Sequence, residues 1–370
     1  MMQLSVILDA LEAIAPTSQA ESWDNVGLIV GDPASSVSRA MLCIDYTHAV
    51  RDEAKQAGCD LIVAYHPPIF ESIKRVTADG SSDLIHDAIR RGVAIYSPHT
   101  ALDVAPGGTN DVLADVISLQ DRRPLKLRES RTNNLKLVTF VPTDALDRVA
   151  DAIFSAGGGC IGRYSHCSFR SAGTGTFKGG EGTNPAIGSP GVLERVDEMR
   201  LEVALPTHRA SDVISALKRA HPYEEVAFDL FTMQPDPTTT PVGLGRVGRL
   251  PSDISAEMLI NLLKRSLGLN RLMFVGDPQR LVRNVAVCAG ACGGDLLSAV
   301  IALKVDCYIS GEMRHHDALR AERAGLSVVC TLHSHSERIA LARLAQMMRD
   351  RLPTLDLRLS SADRDPFAIL

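Results

Sequence analysis

Residues 40–68 read AMLCIDYTHAVRDEAKQAGCDLIVAYHPP. Two apolar runs, AMLCIDY (40–46) and DLIVAYH (60–66), flank the charged run AVRDEAKQAG (49–58), which stops at Gly58. The apolar runs are continuous rather than alternating. A strand of that kind is covered on both faces, so the segment predicts a β-α-β unit with parallel strands. The rhythm extends outward to a helix at DLIHDAIRRG (83–92) and a strand at VAIYSPH (93–99). It returns late in RNVAVCAG (283–290), DLLSAVIALKV (295–305), DCYISG (306–311), HHDALRAERAG (315–325) and LSVVCTL (326–332). The fold class expected is α/β, with a central, largely parallel sheet.

The middle of the chain has a different grammar. NLKLVTFVPTDALDRVADAIFSAGGG (134–159) predicts strand then helix, and 199–233 predicts strand, helix, strand. Together they give a β-α-β…β-α-β path, the ferredoxin-like α+β pattern. Between them, 170–192 is rich in Gly, Ser and Thr and reads as a long loop. QPDPTTTP (234–241) reads as a linker. The expected organisation is one α/β domain in two halves, 1–125 and 237–370, interrupted by an inserted α+β domain at 126–236.

Bulk properties narrow the function. With 370 residues, 45% of them hydrophobic, the chain has ample material for a core. A net charge of −5 argues against a nucleic-acid-binding protein. No apolar run approaches the roughly 20 residues a membrane helix needs. The start, MMQLSVILDALEAIAP, carries Asp9 and Glu12 within its apolar stretch and reads as an amphipathic helix, not a signal peptide. Eight cysteines without a CxxC pair read as reduced thiols of a cytoplasmic protein.

In parallel α/β sheets ligands gather at the carboxyl ends of strands. There the sequence places His66 after DLIVAY, His99 and Asp103 after VAIYSP, and His333 after LSVVCTL. Glu337 follows His333 by four residues and projects from the same side of a helix entered near Ser334. Alone, Glu337 reads as a carboxylate favoured by a helix N-terminus, and His66 as a histidine in a turn imposed by Pro67 and Pro68. Together, His66, Asp103, His333 and Glu337 favour a metal site. His335 points away from it, and His315 or His316 is a candidate to orient a ligand. Mixed His and carboxylate donors suit zinc, iron, manganese or nickel. An ion with so few protein ligands can acidify water, which makes hydrolysis the natural reaction class. No nucleophilic triad, P-loop or dinucleotide fingerprint is present to suggest another chemistry.

Five ordered motifs, SWDNVGLIVGDP (22–33), YHPPIF (65–70), HTALDVAPGGTND (99–111), SGEMRHHDAL (310–319) and HSHSER (333–338), resemble the NIF-three-like family, often labelled GTP cyclohydrolase I type 2 homologues. Residues 159–182 and HPYEEVAFDL (221–230) resemble the inserted domain of its longer members, similar to PII and CutA-type sensors. The resemblance implies a dinuclear metal centre inside a homohexamer, with His66, Asp103, His333 and Glu337 as ligands. Where the family pattern has a His-His pair, this chain has Tyr65 before His66. One metal would keep His66, His333 and Glu337; the other keeps Asp103 and Glu337 and calls on Tyr65 or His99 as a substitute. One or two divalent ions per chain are therefore expected. The activity implied is hydrolysis of a small nucleotide-like substrate. The competing reading is a non-catalytic metal-binding regulatory or interaction protein whose inserted domain senses a ligand.

Overall fold

The computed structural model describes residues 1–127, 134–161, 164–233 and 242–368. The expected linker at 234–241 lies outside them. The chain separates into two compact units, Met1–Arg128 with Pro241–Leu370, and Glu129–Thr240. Among the described residues no helix is long and apolar enough to cross a membrane.

The larger unit is mixed α/β. Its parallel ladders lie in two mixed sheets rather than in one central sheet. In the first, Asp356–Leu359, Arg39–Cys43, Leu61–Ala64 and Ala94–Ser97 run parallel in that order, and Gly27–Val30 closes the edge antiparallel to Ala94–Ser97. In the second, Leu281–Cys288, Cys307–Ser310 and Ser327–Cys330 are parallel. Antiparallel strands extend it on both sides: Met273–Val275 on one, Gly243–Ser255 and then Gln120–Leu127 on the other. Pro124 sits in the outermost strand, where a missing ladder donor is tolerated. One continuous sheet was expected because both halves share a rhythm; local periodicity says nothing about which strands become neighbours.

The long helix His333–Arg351 belongs to both cores. Leu341, Leu344, Ala345 and Met348 pack with Leu4, Ile7, Leu11, Leu42 and Val63 of the first sheet's core. Leu332 and Ile339 pack against the second sheet's core, which contains Leu259, Val285 and Val329. The helix is therefore held from both sides, by the second core near its start and by the first core farther along.

In the smaller unit the strands Phe228–Thr232, Asn134–Pro142, Leu193–Pro206 and Phe169–Lys178 form an antiparallel sheet in that order. The helices Leu146–Ser155 and Ala210–Ala220 pack Val149, Ile153, Val213 and Leu217 onto Leu137, Val141, Leu201 and Val203. The stretch read as a loop at 170–192 is corrected in part. Phe169–Lys178 is a strand, paired from Phe169 opposite Glu202 to Lys178 opposite Leu193. Its side chains are mostly exposed, so no apolar alternation marked it.

Candidate metal centre

His66 stands just beyond Leu61–Ala64. The ladder continues for two residues, because the Tyr65 and His66 N–H groups donate to the Cys43 and Ile44 carbonyls at 2.8 and 3.0 Å. Pro67 and Pro68 then stop it. His333 opens the long helix after Leu332, whose φ of +69° turns the chain sharply out of its strand. Such a backbone is rare for a branched residue.

Glu337, only 3% exposed, is the hub. Its Oε1 lies 3.3 Å from His333 Nε2 and its Oε2 lies 3.2 Å from His66 Nε2. The opposite ring nitrogens are held by other carboxylates. His66 Nδ1 is 2.9 Å from Asp45, and His333 Nδ1 is 3.2 Å from Glu312. Carboxylates of this kind fix an imidazole's tautomer and raise its basicity as a metal ligand. Donor atoms of His66, His333 and Glu337 all fall within 4.8 Å of one another.

The three residues fit a cation on two grounds. Glu337 Oε2 is buried and accepts no well-directed hydrogen bond, despite its proximity to His66. A buried carboxylate oxygen left so is costly unless something positive meets it. Gly290, at φ +69°, also leaves room that a side chain would take: a Cβ there would stand 2.5 Å from Glu337 Oε1. The electrostatics agree. Burial opposes charge on His66, yet Asp45 and Glu337 outweigh it and hold its pKa at about 10. Glu337 leads in raising His333 to about 9. Glu337 itself is held low: burial works against its charge, and the two imidazoles overcome it. The centre attracts positive charge, which a divalent ion can supply in place of two protons.

Asp103 and Tyr65 are joined in a second group. The Tyr65 hydroxyl donates to Asp103 Oδ1 and lies 3.2 Å from Thr109 Oγ1. Burial and the charges of Asp103 and Glu337 push the fully buried phenol well up, so it is neutral. Burial, then Glu337, raises Asp103 to about 6. Asn110 supports this group, donating to the Asp103 carbonyl at 2.9 Å and accepting from the Ala289 N–H at 3.0 Å. His99 lies alongside, its ring centroid 5.2 Å from that of His66. Asp24 binds His99 Nδ1 at 2.8 Å and takes the Thr100 N–H at 3.1 Å. Asp24 thereby orients His99, a role its motif alone did not reveal.

His335 turns to Asp365 at 3.0 Å, on a different side from Glu337. The residue that orients His333 from the SGEMRHH segment is Glu312, in place of His315 or His316. Asp45, Glu312 and Gly290 were missed in the sequence.

The DUF34/NIF3 (NGG1p interacting factor 3) family model matches residues 2–366. The chain belongs to the NIF3 family. Curated relatives named GTP cyclohydrolase 1 type 2 homolog include one from Mycobacterium bovis, 37% identical over 99% of this chain and 97% of that protein. Another, from Bacillus subtilis, is 36% identical over 98% of each chain. Among solved structures, the NIF3-related protein of Bacillus cereus is 33% identical, with a TM-score of 0.68 and 98% of both chains covered.

Proposed function

We propose that this NIF3 chain binds a divalent transition metal through His66, His333 and Glu337, and that it is a metal-dependent hydrolase of a small nucleotide-like substrate. The observation that carries the reading is the pair of Nε2 atoms converging on the two oxygens of one buried carboxylate. When bound, such an ion supplies Lewis acidity for hydrolysis. Asp45 and Glu312 keep the imidazoles facing inward. Asp103, shielded by Tyr65, stands ready as an oxygen donor for a second ion, which would favour harder metals than the first position. Trp23 and Phe70, 59% and 55% exposed, lie with ring centroids 5.8 Å apart, and Trp23 is 6.1 Å from His99. Exposed rings beside a polar centre suit the stacking of a planar base. The relatives' names point to the same substrate class.

The smaller unit is, in this reading, an inserted ferredoxin-like domain; its β-α-β-β-α-β path and antiparallel strand order support that. A second, regulatory reading is favoured by a cavity of about 590 Å³ built wholly from residues of this unit.

The test is elemental analysis of untagged protein, followed by a metabolite screen on the metal-loaded form beside a His333→Ala control. About one equivalent of metal, lost in Glu337→Gln and retained in His335→Ala, is expected. Equal losses in both variants refute the assignment. Turnover seen with the loaded protein and absent in the control supports hydrolysis; saturable binding without turnover favours the regulatory reading.

A further inference from the structure

The cavity in the smaller unit lies on the sheet face that carries Glu198, Arg200, Phe140 and Phe177, and Tyr223 closes one side. Glu198 is 8% exposed, unusual for a carboxylate on an otherwise open sheet face. Its Oε1 accepts a hydrogen bond from the Tyr223 hydroxyl at 2.8 Å. Its Oε2 lies over Gly175, where a Cβ would come within 2.0 Å. The strand is bare at the one place where this carboxylate must fit.

His221 is close enough to interact with Glu198 but does not neutralise it. The Tyr223 N–H donates to His221 Nδ1 at 3.1 Å, so that nitrogen is unprotonated. His221 Nε2 then carries the hydrogen, which the Phe140 carbonyl accepts at 3.0 Å. Burial favours the same neutral ring. Arg200, also in the lining, is engaged by Glu202 at 2.9 Å. The remaining charged lining is Lys178, Glu224 and Glu225, so the cavity is acidic. Glu224 further anchors its wall by accepting the Asn184 N–H at 3.0 Å.

We propose that this cavity binds a small organic cation, a guanidinium or primary ammonium on a short apolar arm. A carboxylate buried beside a neutral phenol and a neutral imidazole gains most from a positive partner. The rings of Phe177 and Tyr223, with centroids 5.9 Å apart, offer faces to a planar cation and its methylenes. The volume falls in the range of small-molecule sites. None of these residues takes part in the metal centre, so the proposal stands apart from the hydrolase reading.

Isothermal titration calorimetry of the full-length protein with agmatine tests it, with neutral butylurea as the uncharged control. Saturable binding of agmatine is expected, with none for butylurea. Glu198→Gln should weaken it by at least about tenfold, since it removes the charge and keeps the shape. The exposed rim variant Lys178→Glu should tighten it by a few-fold, and His333→Ala should leave it unchanged. No saturable heat up to roughly 10 mM, a level at which even weak charged contacts register, overturns the proposal. So does equal affinity in wild type and Glu198→Gln, or weakening by Lys178→Glu. Loss on His333→Ala would place agmatine at the metal centre instead and equally refute the proposal.

Discussion

At the scale of single residues, Gly290 and Tyr65 make the sharpest demands. Gly290→Ala should weaken metal binding by about tenfold or more, because the new Cβ collides with Glu337 Oε1. Backbone strain contributes too, at roughly 1–2 kcal/mol for a side chain at positive φ. Gly268→Ala separates the two effects. Gly268 has φ +66° with nothing within 4 Å, so it should lose stability and keep its metal. Equal metal affinity in both variants would show that Gly290 does not clear space for the ligand. Tyr65→Phe removes the donor to Asp103 and should destabilise the fold by about 1–3 kcal/mol, the cost of an unpaired buried acceptor. It should leave the metal held by His66, His333 and Glu337 in place. Tyr65→His offers Asp103 a neutral nitrogen neighbour and should raise total metal toward two equivalents. Loss of all metal in Tyr65→Phe would make the phenol a ligand after all. Much of this centre could be read from sequence by looking for donors at strand ends. The same rule, applied evenly, finds Asp45 two residues beyond Arg39–Cys43 and Glu312 two beyond Cys307–Ser310. In sequence the apolar run AMLCIDY (40–46) carries Asp45 into the strand, and in SGEMRHH (310–316) the two histidines draw attention from Glu312. Gly290 leaves no such mark, since its importance is a distance across the fold.

At the scale of elements, legibility followed burial. Leu61–Ala64 and Ser327–Cys330 are buried at every position and their sequences show it. Phe169–Lys178 exposes nearly every side chain and is held by its backbone ladder to Leu193–Pro206, so its composition resembled a loop. The joint between Gly243–Ser255 and the helix Thr109–Val116 was not legible at all. Arg246, buried in that strand, reaches Asp111 with Nε at 2.6 Å and a second nitrogen at 2.9 Å, and also donates to the Gly243 and Gly245 carbonyls. Arg246→Met leaves Asp111 and these carbonyls without their donor. It should cost about 3 kcal/mol, as broken buried ion pairs do, read as an earlier midpoint in urea unfolding. A midpoint unchanged from wild type would show that solvent replaces the guanidinium freely.

At the scale of the whole molecule, the question is whether the larger unit stands without the smaller one. The path of the chain makes the experiment unusually clean. Leu127 ends one edge strand and Gly243 begins its antiparallel neighbour, and the two are direct partners in the ladder. Directly opposed residues in such a pair have Cα atoms about 4.5–5.5 Å apart, the span a two-residue hairpin turn bridges. Replacing 128–242 with Asn-Gly should therefore convert the excursion into an ordinary hairpin. Among the described residues, no strand of the smaller unit joins either sheet of the larger one, so no described ladder is cut. His66, Asp103, His333 and Glu337 all remain. The shortened chain should unfold cooperatively, keep the metal content of the full chain and lose all agmatine binding. Retained agmatine binding would move that site out of the smaller unit. A shortened chain that folds but holds no metal would show that the centre depends on residues 128–242, and a chain that fails to fold would show that the two units are not independent.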